Sequence, residues 1–248
     1  MKVIINGYSG TMGQVLTKCV LDDEELQLVA GVSPKHHDVN NQFNTYSSFA
    51  EVKEDADVVI DFSNPLALDD ILDYCLKTKT PVVLATTGYN DEEMEKIYQA
   101  SKQIPVFLSF NMSLGVNILL KLVKEAAKNL NNFDIEIIEK HHNKKVDSPS
   151  GTAVMIANAV KEIREQSEFI YGRHGRTGKR QQNEVGIHAV RGGTIVGEHS
   201  AIFAGNDEIL EINHSARSKN VFAEGAIAAA KYLVNQQPGF YNMDDMLG

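Results

Sequence analysis

VIINGYSGTMGQVLTKCVL, Val3–Leu21, is the stretch that decides the fold. Val3, Ile4 and Ile5 form a short β-branched run, which favours an extended strand. Glycines follow at Gly7, Gly10 and Gly13, and from Val15 to Leu21 the apolar residues recur at helical spacing. Strand, tight turn and helix in that order put a glycine turn at the start of a helix. The unpaired amides and positive dipole end there suit a pyrophosphate. Glycines let such a ligand approach the backbone without a Cβ in the way. The spacing is G-x-x-G-x-x-G, one residue longer at the front than the commonest dinucleotide fingerprint. Alone it fits a merely structural corner equally well; at the first strand of an alternating pattern it favours a nucleotide turn.

That pattern continues. Strands are predicted over 26–32, 58–62, 81–84 and 105–109, with helices over 66–77 and near 91–102. Short buried strands alternating with helices predict an α/β fold with a Rossmann-type, doubly wound parallel sheet. Ligands on such sheets sit at the carboxyl ends of the strands. The turn-rich pieces NGYSGTMG, DFSNP, TTG and FNMS all fall at those ends.

From there the pattern changes. A long helix (about 115–130) leads to a strand at 133–139, a basic stretch and a helix from about 151 to 165. A polar loop, EQSEFIYGRHGRTGKRQQNE, precedes three alternating segments at 185–191, 194–204 and 207–215. Consecutive strands with short connections predict an antiparallel or mixed sheet, hence a second α+β domain. The alanine-rich segment Phe222 to Leu233 is expected to pack back on the first. The expected division is 1–110 with 219–248 for the dinucleotide-binding domain, and 111–218 for the second.

Composition narrows the function. Among 248 residues, Asp and Glu number 33 against 24 Lys and Arg, a formal charge of −9, which argues against nucleic acid as the main partner. Cys19 and Cys75 lack metal-ligand spacing and read as reduced thiols, with no metal expected. The apolar run at the N-terminus is too short for a signal peptide, and no run approaches the roughly 18 apolar residues of a membrane span. A cytoplasmic protein with no membrane partner is expected.

The second informative stretch is IEKHHNKKVDSPSGTA, residues 138–153. Ser150-Gly151-Thr152 opens an apolar-periodic helix whose inward face uses Met155, Ile156, Ala159, Val160 and Ile163, and Ser150 is its natural N-cap. The amides of Gly151 and Thr152 would then point outward, where a carboxylate can bind. Lys145 supplies full charge, and His141 or His142 can deliver a proton near neutral pH. The residues alone leave two readings open: a solvated basic loop before a capped helix, or a site for a small anion that takes up a proton. A metal on His141 and His142 is the poorer idea, since adjacent ligands rarely converge.

Elsewhere the signals are weaker. The end of the second strand carries no Asp or Glu until Asp38, so Lys35 with His36 and His37 is free to meet a 2′-phosphate or simply be solvated. Arg173, Arg176, Lys179 and Arg180 read first as a surface or interface loop, and second as charge near the site. Arg191-Gly192-Gly193 reads as structure, Glu198 with His199 as a satisfied polar pair, and His214 and Arg217 as interdomain or interface contacts.

Taken in order, GYSGTMG, DFSNP, TTG, EKHHNKKVDSPSGTA, VRGGTIVGEH and NHSARSKNVFAEGAIAAAKYL resemble the 4-hydroxy-tetrahydrodipicolinate reductase family, from residue 3 to about 235. The element HHxxKxDxPSGTA is highly specific. The resemblance implies a pyridine-nucleotide enzyme of the diaminopimelate route to lysine, working as a homotetramer joined through the second domain's sheets. It implies His141 as general acid supported by Lys145, with His142, Lys145, Gly151 and Thr152 holding the carboxylates of a dicarboxylate substrate. Cofactor contacts, with NADPH and/or NADH, are implied for Gly7, Tyr8, Ser9, Gly10, Thr11 and Met12, for Ala85, Thr86 and Thr87, and for Ser109, Phe110, Asn111 and Met112. Two positions depart from the family. Thr11 stands where Arg or Lys is frequent, and Ser33 where an acidic residue is frequent, so cofactor preference does not carry over. Lys35 tilts the expectation towards NADPH or dual use. A reductase of another dicarboxylic imine or aldehyde, and a non-catalytic nucleotide-binding regulator, are the alternatives.

Overall fold

A computed structural model describes residues 1–34 and 42–248. The first part of the chain alternates strand and helix: β1 (Lys2–Asn6), α1 (Thr11–Asp22), β2 (Gln27–Val32), β3 (Asn44–Tyr46), β4 (Val58–Asp61), α2 (Leu68–Thr78), β5 (Val82–Leu84), α3 (Asp91–Ser101) and β6 (Pro105–Leu108). The boundaries have local causes. Lys79 ends α2 in the left-handed conformation, and Asn90 with Glu93 forms a reciprocal cap that starts α3. The middle part forms α4 (Leu114–Asn129), β7 (Asp134–His141), α5 (Gly151–Ile163), β8 (Glu168–Tyr171), β9 (Glu184–Arg191), β10 (Gly197–Ala204) and β11 (Ile209–Ala216). The chain closes with α6 (Asn220–Leu233), β12 (Gly239–Tyr241) and α7 (Met243–Leu247).

The chain divides into two compact units, Met1–Leu114 with Lys219–Gly248, and Gly115–Ser218. Residues 111–114, expected in the second, fall in the first. Asn111 is tied back to Ser109, and the Met112 carbonyl lies where a Cβ on Gly225 of α6 would sit 1.7 Å from it.

In the first unit the described residues form a seven-stranded sheet, ordered β12-β6-β5-β4-β1-β2-β3, with every pairing parallel. The strand order reverses beside β1, the usual place for a ligand crevice in an open α/β sheet. Helix α6 packs its small face (Ala223, Ala226, Ala229 and Ala230) with Leu16 and Val20 of α1 over Val3 and Ile5 of β1, all buried. Each large side chain so buried contributes on the order of 1.5–3 kcal/mol. The first domain's sheet and the return of α6 match the sequence reading.

The second unit carries a five-stranded mixed sheet, β11-β10-β7-β9-β8. β10 runs antiparallel to β7 and β11, while β7, β9 and β8 are parallel. Along β7 burial alternates strictly: Ile135, Ile137, Glu139 and His141 face inward, and Asp134, Glu136, Ile138 and Lys140 outward. The inward apolar residues pack with Leu119 and Val123 of α4 and Ile156 and Val160 of α5. Among the described residues no helix is long and apolar enough to cross a membrane.

Candidate active site

The first set of expected site residues lies along the carboxyl edge of the parallel sheet. β6, β5, β4 and β1 are consecutive neighbours there, so the segments after them (109–112, 85–87, 62–64 and 7–13) follow one another along that edge. The glycine turn is shaped by close approach. Gly7 has φ +79°, and a Cβ on it would lie 2.8 Å from the Phe62 carbonyl oxygen. A Cβ on Gly13 would lie 2.0 Å from the Gly7 carbonyl oxygen, so helix and turn touch through bare backbone. Gly10 starts α1 without a side-chain cap, and the first turn holds no acidic residue. That helix mouth therefore has no side-chain cap and no acidic residue in its own first turn, which fits a pyrophosphate.

Beneath the turn, buried Asp61 ties β1 to β4. It accepts from Asn6 Nδ2 at 2.8 Å and from the Ser63 amide and hydroxyl, and Tyr89 reaches its other oxygen at 3.4 Å. Burial pushes the Asp61 carboxyl up, and the donors from Ser63 and Asn6 oppose that. Tyr8 and Met112 have their side chains in the core, leaving backbone to face a ligand. Ala85, Thr86 and Asn111 are buried, Ser109 and Met12 half-buried, and Thr11, Thr87 and Phe110 exposed. At the end of β2, the Ser33 hydroxyl meets Ser9 of the glycine turn at 2.6 Å. Among the described residues, position 33 carries this hydroxyl and no carboxylate. Lys35, His36 and His37 lie outside the described residues.

The second set lies at the carboxyl end of β7. His141, the last strand residue, is buried, and its Nδ1 is 2.7 Å from Glu139 Oε2. Arg191, beside His141 in register on β9, grips both Glu139 oxygens at 2.7 Å each. The Ser150 amide donates to Glu139 Oε1 at 3.0 Å. Burial pushes the Glu139 carboxyl up, but Arg191, His141 and the Ser150 amide outweigh it and hold the group below the usual carboxylate range.

Ser150 caps α5 by accepting from the Ala153 amide, and its hydroxyl meets His199 Nε2 at 2.9 Å. His199 sits opposite Glu139 on β10, with its ring edge-on to His141 at 5.2 Å. Burial and the neighbouring His141 push His199 down to about 4, so the ring is neutral near pH 7. Gly151 and Thr152 open the helix, and nothing lies within 4 Å of where a Cβ on Gly151 would be. Lys145 is bound to Asp147 at 2.8 Å, and the Asp147 carbonyl accepts from Arg191. His142 follows His141 out of the strand and is half-buried. The structure thus gathers His141, Glu139, Arg191, His199 and the start of α5, with Lys145 on the loop that joins them.

One sequence reading needs correction. Glu198 and His199 are not a pair: adjacent strand residues face opposite sides, so Glu198 meets Lys140 at 3.0 Å outside while His199 turns inward. Arg191 holds structure, as read from the sequence, by neutralising buried Glu139. Arg173 and Arg180 lie on a surface loop, the reading the sequence put first. They pin the loop to Glu136, Asp134 and Glu184 on the sheet's outward face, holding Glu136 down at about 2 against its burial.

The description "Dihydrodipicolinate reductase, N-terminus" fits residues 1–112, and "Dihydrodipicolinate reductase, C-terminus" fits residues 115–247. Among curated relatives, the 4-hydroxy-tetrahydrodipicolinate reductase of Caldanaerobacter subterraneus subsp. tengcongensis is 52% identical over 248 residues, covering all of this chain and 98% of its own. That of Clostridium tetani is 47% identical over 249 residues, covering 100% of this chain and 97% of its own. Among solved structures, a dipicolinate-bound dihydrodipicolinate reductase from Paenisporosarcina sp. TG-14 superposes with a TM-score of 0.83 at 23% identity, over 98% of this chain and 97% of that one. That structural likeness speaks for the fold. Matched in both halves by the family's two regions and along its whole length by such relatives, this chain belongs to the dihydrodipicolinate reductase family.

Proposed function

We propose that the chain reduces 4-hydroxy-tetrahydrodipicolinate to tetrahydrodipicolinate with a reduced pyridine nucleotide, in the diaminopimelate route to lysine. The observation that carries the reading is the end of β7. There a histidine pinned by a buried carboxylate stands beside the N-terminus of α5 and a lysine. Such a set holds a carboxylate and moves one proton, as the reduction of a cyclic, imine-conjugated dicarboxylate requires.

The glycine turn and the segments 85–87 and 109–112 would hold the dinucleotide, with its pyrophosphate on the amides that open α1. Bound there, the reduced nicotinamide supplies the hydride. Everything else falls to the protein. Gly151 and Thr152 amides with Lys145 and His142 take the substrate's carboxylates, and Lys145 exchanges Asp147 for the substrate. His141 delivers a proton from its ring to the atom that gains electron density. Fixed donors that need no reorganisation lower the barrier most where water is excluded.

Both nucleotides are accepted on this reading, supported by the neutral Ser33–Ser9 pair where a carboxylate would repel a 2′-phosphate. Assembly as a homotetramer, through the second unit's sheet, is supported by half-exposed Ile138 and Ile202 on its outward face and by exposed Ile209 and Leu210 on β11. A cytoplasmic location agrees with this chemistry. The test is a coupled assay in which the upstream condensing enzyme makes fresh substrate and nicotinamide absorbance is followed with NADH and NADPH separately. Absorbance loss that requires both proteins is expected. Cofactor binding without turnover, or turnover only on other imines or aldehydes from a substrate panel, would refute the proposal.

A further inference from the structure

We infer that Glu139 is a positioning residue that sets the proton donor and the anion cradle through one carboxylate, an inference that rests on reading His141 as that donor. Packing does not ask for a charge at 139. The inward row of β7 begins Ile135, Ile137, and an apolar residue next in the row would carry no desolvation cost. Instead a fully buried carboxylate receives four donors, two on each oxygen. Arg191 Nη1 and His141 Nδ1 meet Oε2, and Arg191 Nη2 and the Ser150 amide meet Oε1.

Two consequences follow from the inventory of donors. Held ionised by Arg191, Glu139 can only accept, so His141 Nδ1 must carry the hydrogen. The exchanging proton is thereby confined to Nε2. That nitrogen faces Gly197, where a Cβ would come within 3.0 Å of it, so the missing side chain keeps its approach open. Through the Ser150 amide the same carboxylate also fixes the N-cap residue of α5, one position before the Gly151 and Thr152 amides. Proton donor and anion cradle therefore share one anchor, although they belong to a strand and a helix.

The test uses histidine labelled with ¹⁵N in the whole enzyme, with His141 assigned by its loss in His141→Gln. Long-range ¹H–¹⁵N spectra report which ring nitrogen carries hydrogen. In the wild type the neutral His141 ring is expected wholly in the Nδ1–H form. In Glu139→Gln, whose amide can donate as well as accept, the two tautomers should mix. There kcat should fall at least about tenfold, by analogy with other orienting carboxylates, and the KM for the dicarboxylate should rise several-fold. The KM for the dinucleotide should hold. Glu139→Asp keeps the charge for Arg191 but shortens the reach to His141, and decides the matter if the glutamine variant does not fold. It is expected to lower kcat while melting near the wild-type temperature. A wild-type ring found as Nε2–H, or wild-type kcat in either folded variant, overturns the inference. The spectrum needs no substrate. A pinned Nδ1–H ring supports the couple even where turnover of the dicarboxylate fails, so that failure and the failure of this inference are read on separate axes.

Discussion

Alanine at each glycine of the first turn should separate the turn's structural work from its work on the dinucleotide. At Gly13 the added Cβ would sit 2.7 Å from the Tyr8 Cα and 2.0 Å from the Gly7 carbonyl oxygen, the latter about 1 Å short of even the tightest contacts real Cβ atoms make. Both neighbours are backbone and cannot rotate away, so α1 must lift from the turn, disturbing the seats of Leu16 and Val20. Overpacking of this kind costs roughly 1–3 kcal/mol, and the backbone contact puts Gly13→Ala at the upper end. At about 2–4 °C per kcal/mol for a chain of this size, the melting temperature should drop by about 6–12 °C.

Gly7→Ala must hold a left-handed residue, at about 1–2 kcal/mol, with its Cβ 2.8 Å from Phe62 O, and should fall nearly as far. Gly10 differs from both. Its φ is −75°, open to any residue, and among the described residues its Cβ would meet only the Gly7 oxygen at 3.3 Å. Gly10→Ala should therefore cost less than about 1 kcal/mol, the range of an N-cap change, yet raise the Kd for NADPH at least about tenfold by blocking backbone approach. Scanning calorimetry and fluorescence titration read the two quantities independently. Native melting in Gly13→Ala, or native nucleotide affinity in Gly10→Ala, would refute the reasoning.

Other outcomes follow from the second unit. Lys145→Ala should raise the KM for the dicarboxylate about 10- to 100-fold, the range of one charged hydrogen bond, and lower kcat as well. Asp147→Asn, which frees the lysine, should lower that KM, and His141→Gln should act mainly on kcat; steady-state kinetics with fresh substrate separates the three. Ser33→Glu should shift preference towards NADH at least about tenfold, since a carboxylate there favours ribose hydroxyls and repels a 2′-phosphate; the ratio of kcat/KM for the two nucleotides measures it. His199 is neutral when folded, at about 4, whereas an unfolded histidine titrates near 6.5. The unfolded chain thus binds the extra proton first. Stability from this ring is full above pH 6.5 and drains as pH falls towards 4, by on the order of 3 kcal/mol. Urea midpoints across that interval should show the slope, and His199→Gln should flatten it.

What the sequence made legible was whatever carries a period or a capping signal. The alternation of β-branched runs with helical segments specified the parallel sheet, and Ser150 announced the start of α5. The misses have physical causes. β3 and β12 are three-residue edge strands, too short to show a period, and β8, with sequence EFIY, hides in a loop otherwise polar. Helix α7 is five residues held by a reciprocal Asn242–Asp245 cap, a signal that was present but lacked an apolar run behind it.

At the site, His141, Lys145 and the α5 amides were readable because they crowd one stretch. Glu139 was missed although it left a trace: a carboxylate at a position where the strand's alternation calls for an apolar side chain. Its partners Arg191 and His199 arrive from strands about 50 and about 60 residues away, and only the register of β9 and β10 on β7 brings them to it.

The most direct test of the account is a crystal structure of the protein grown with NADPH and pyridine-2,6-dicarboxylate. The account predicts one carboxylate of the diacid on the Gly151 and Thr152 amides, Lys145 turned from Asp147 to meet it, and the pyrophosphate on the amides that open α1. A diacid bound away from the start of α5, with Lys145 still on Asp147, would contradict it.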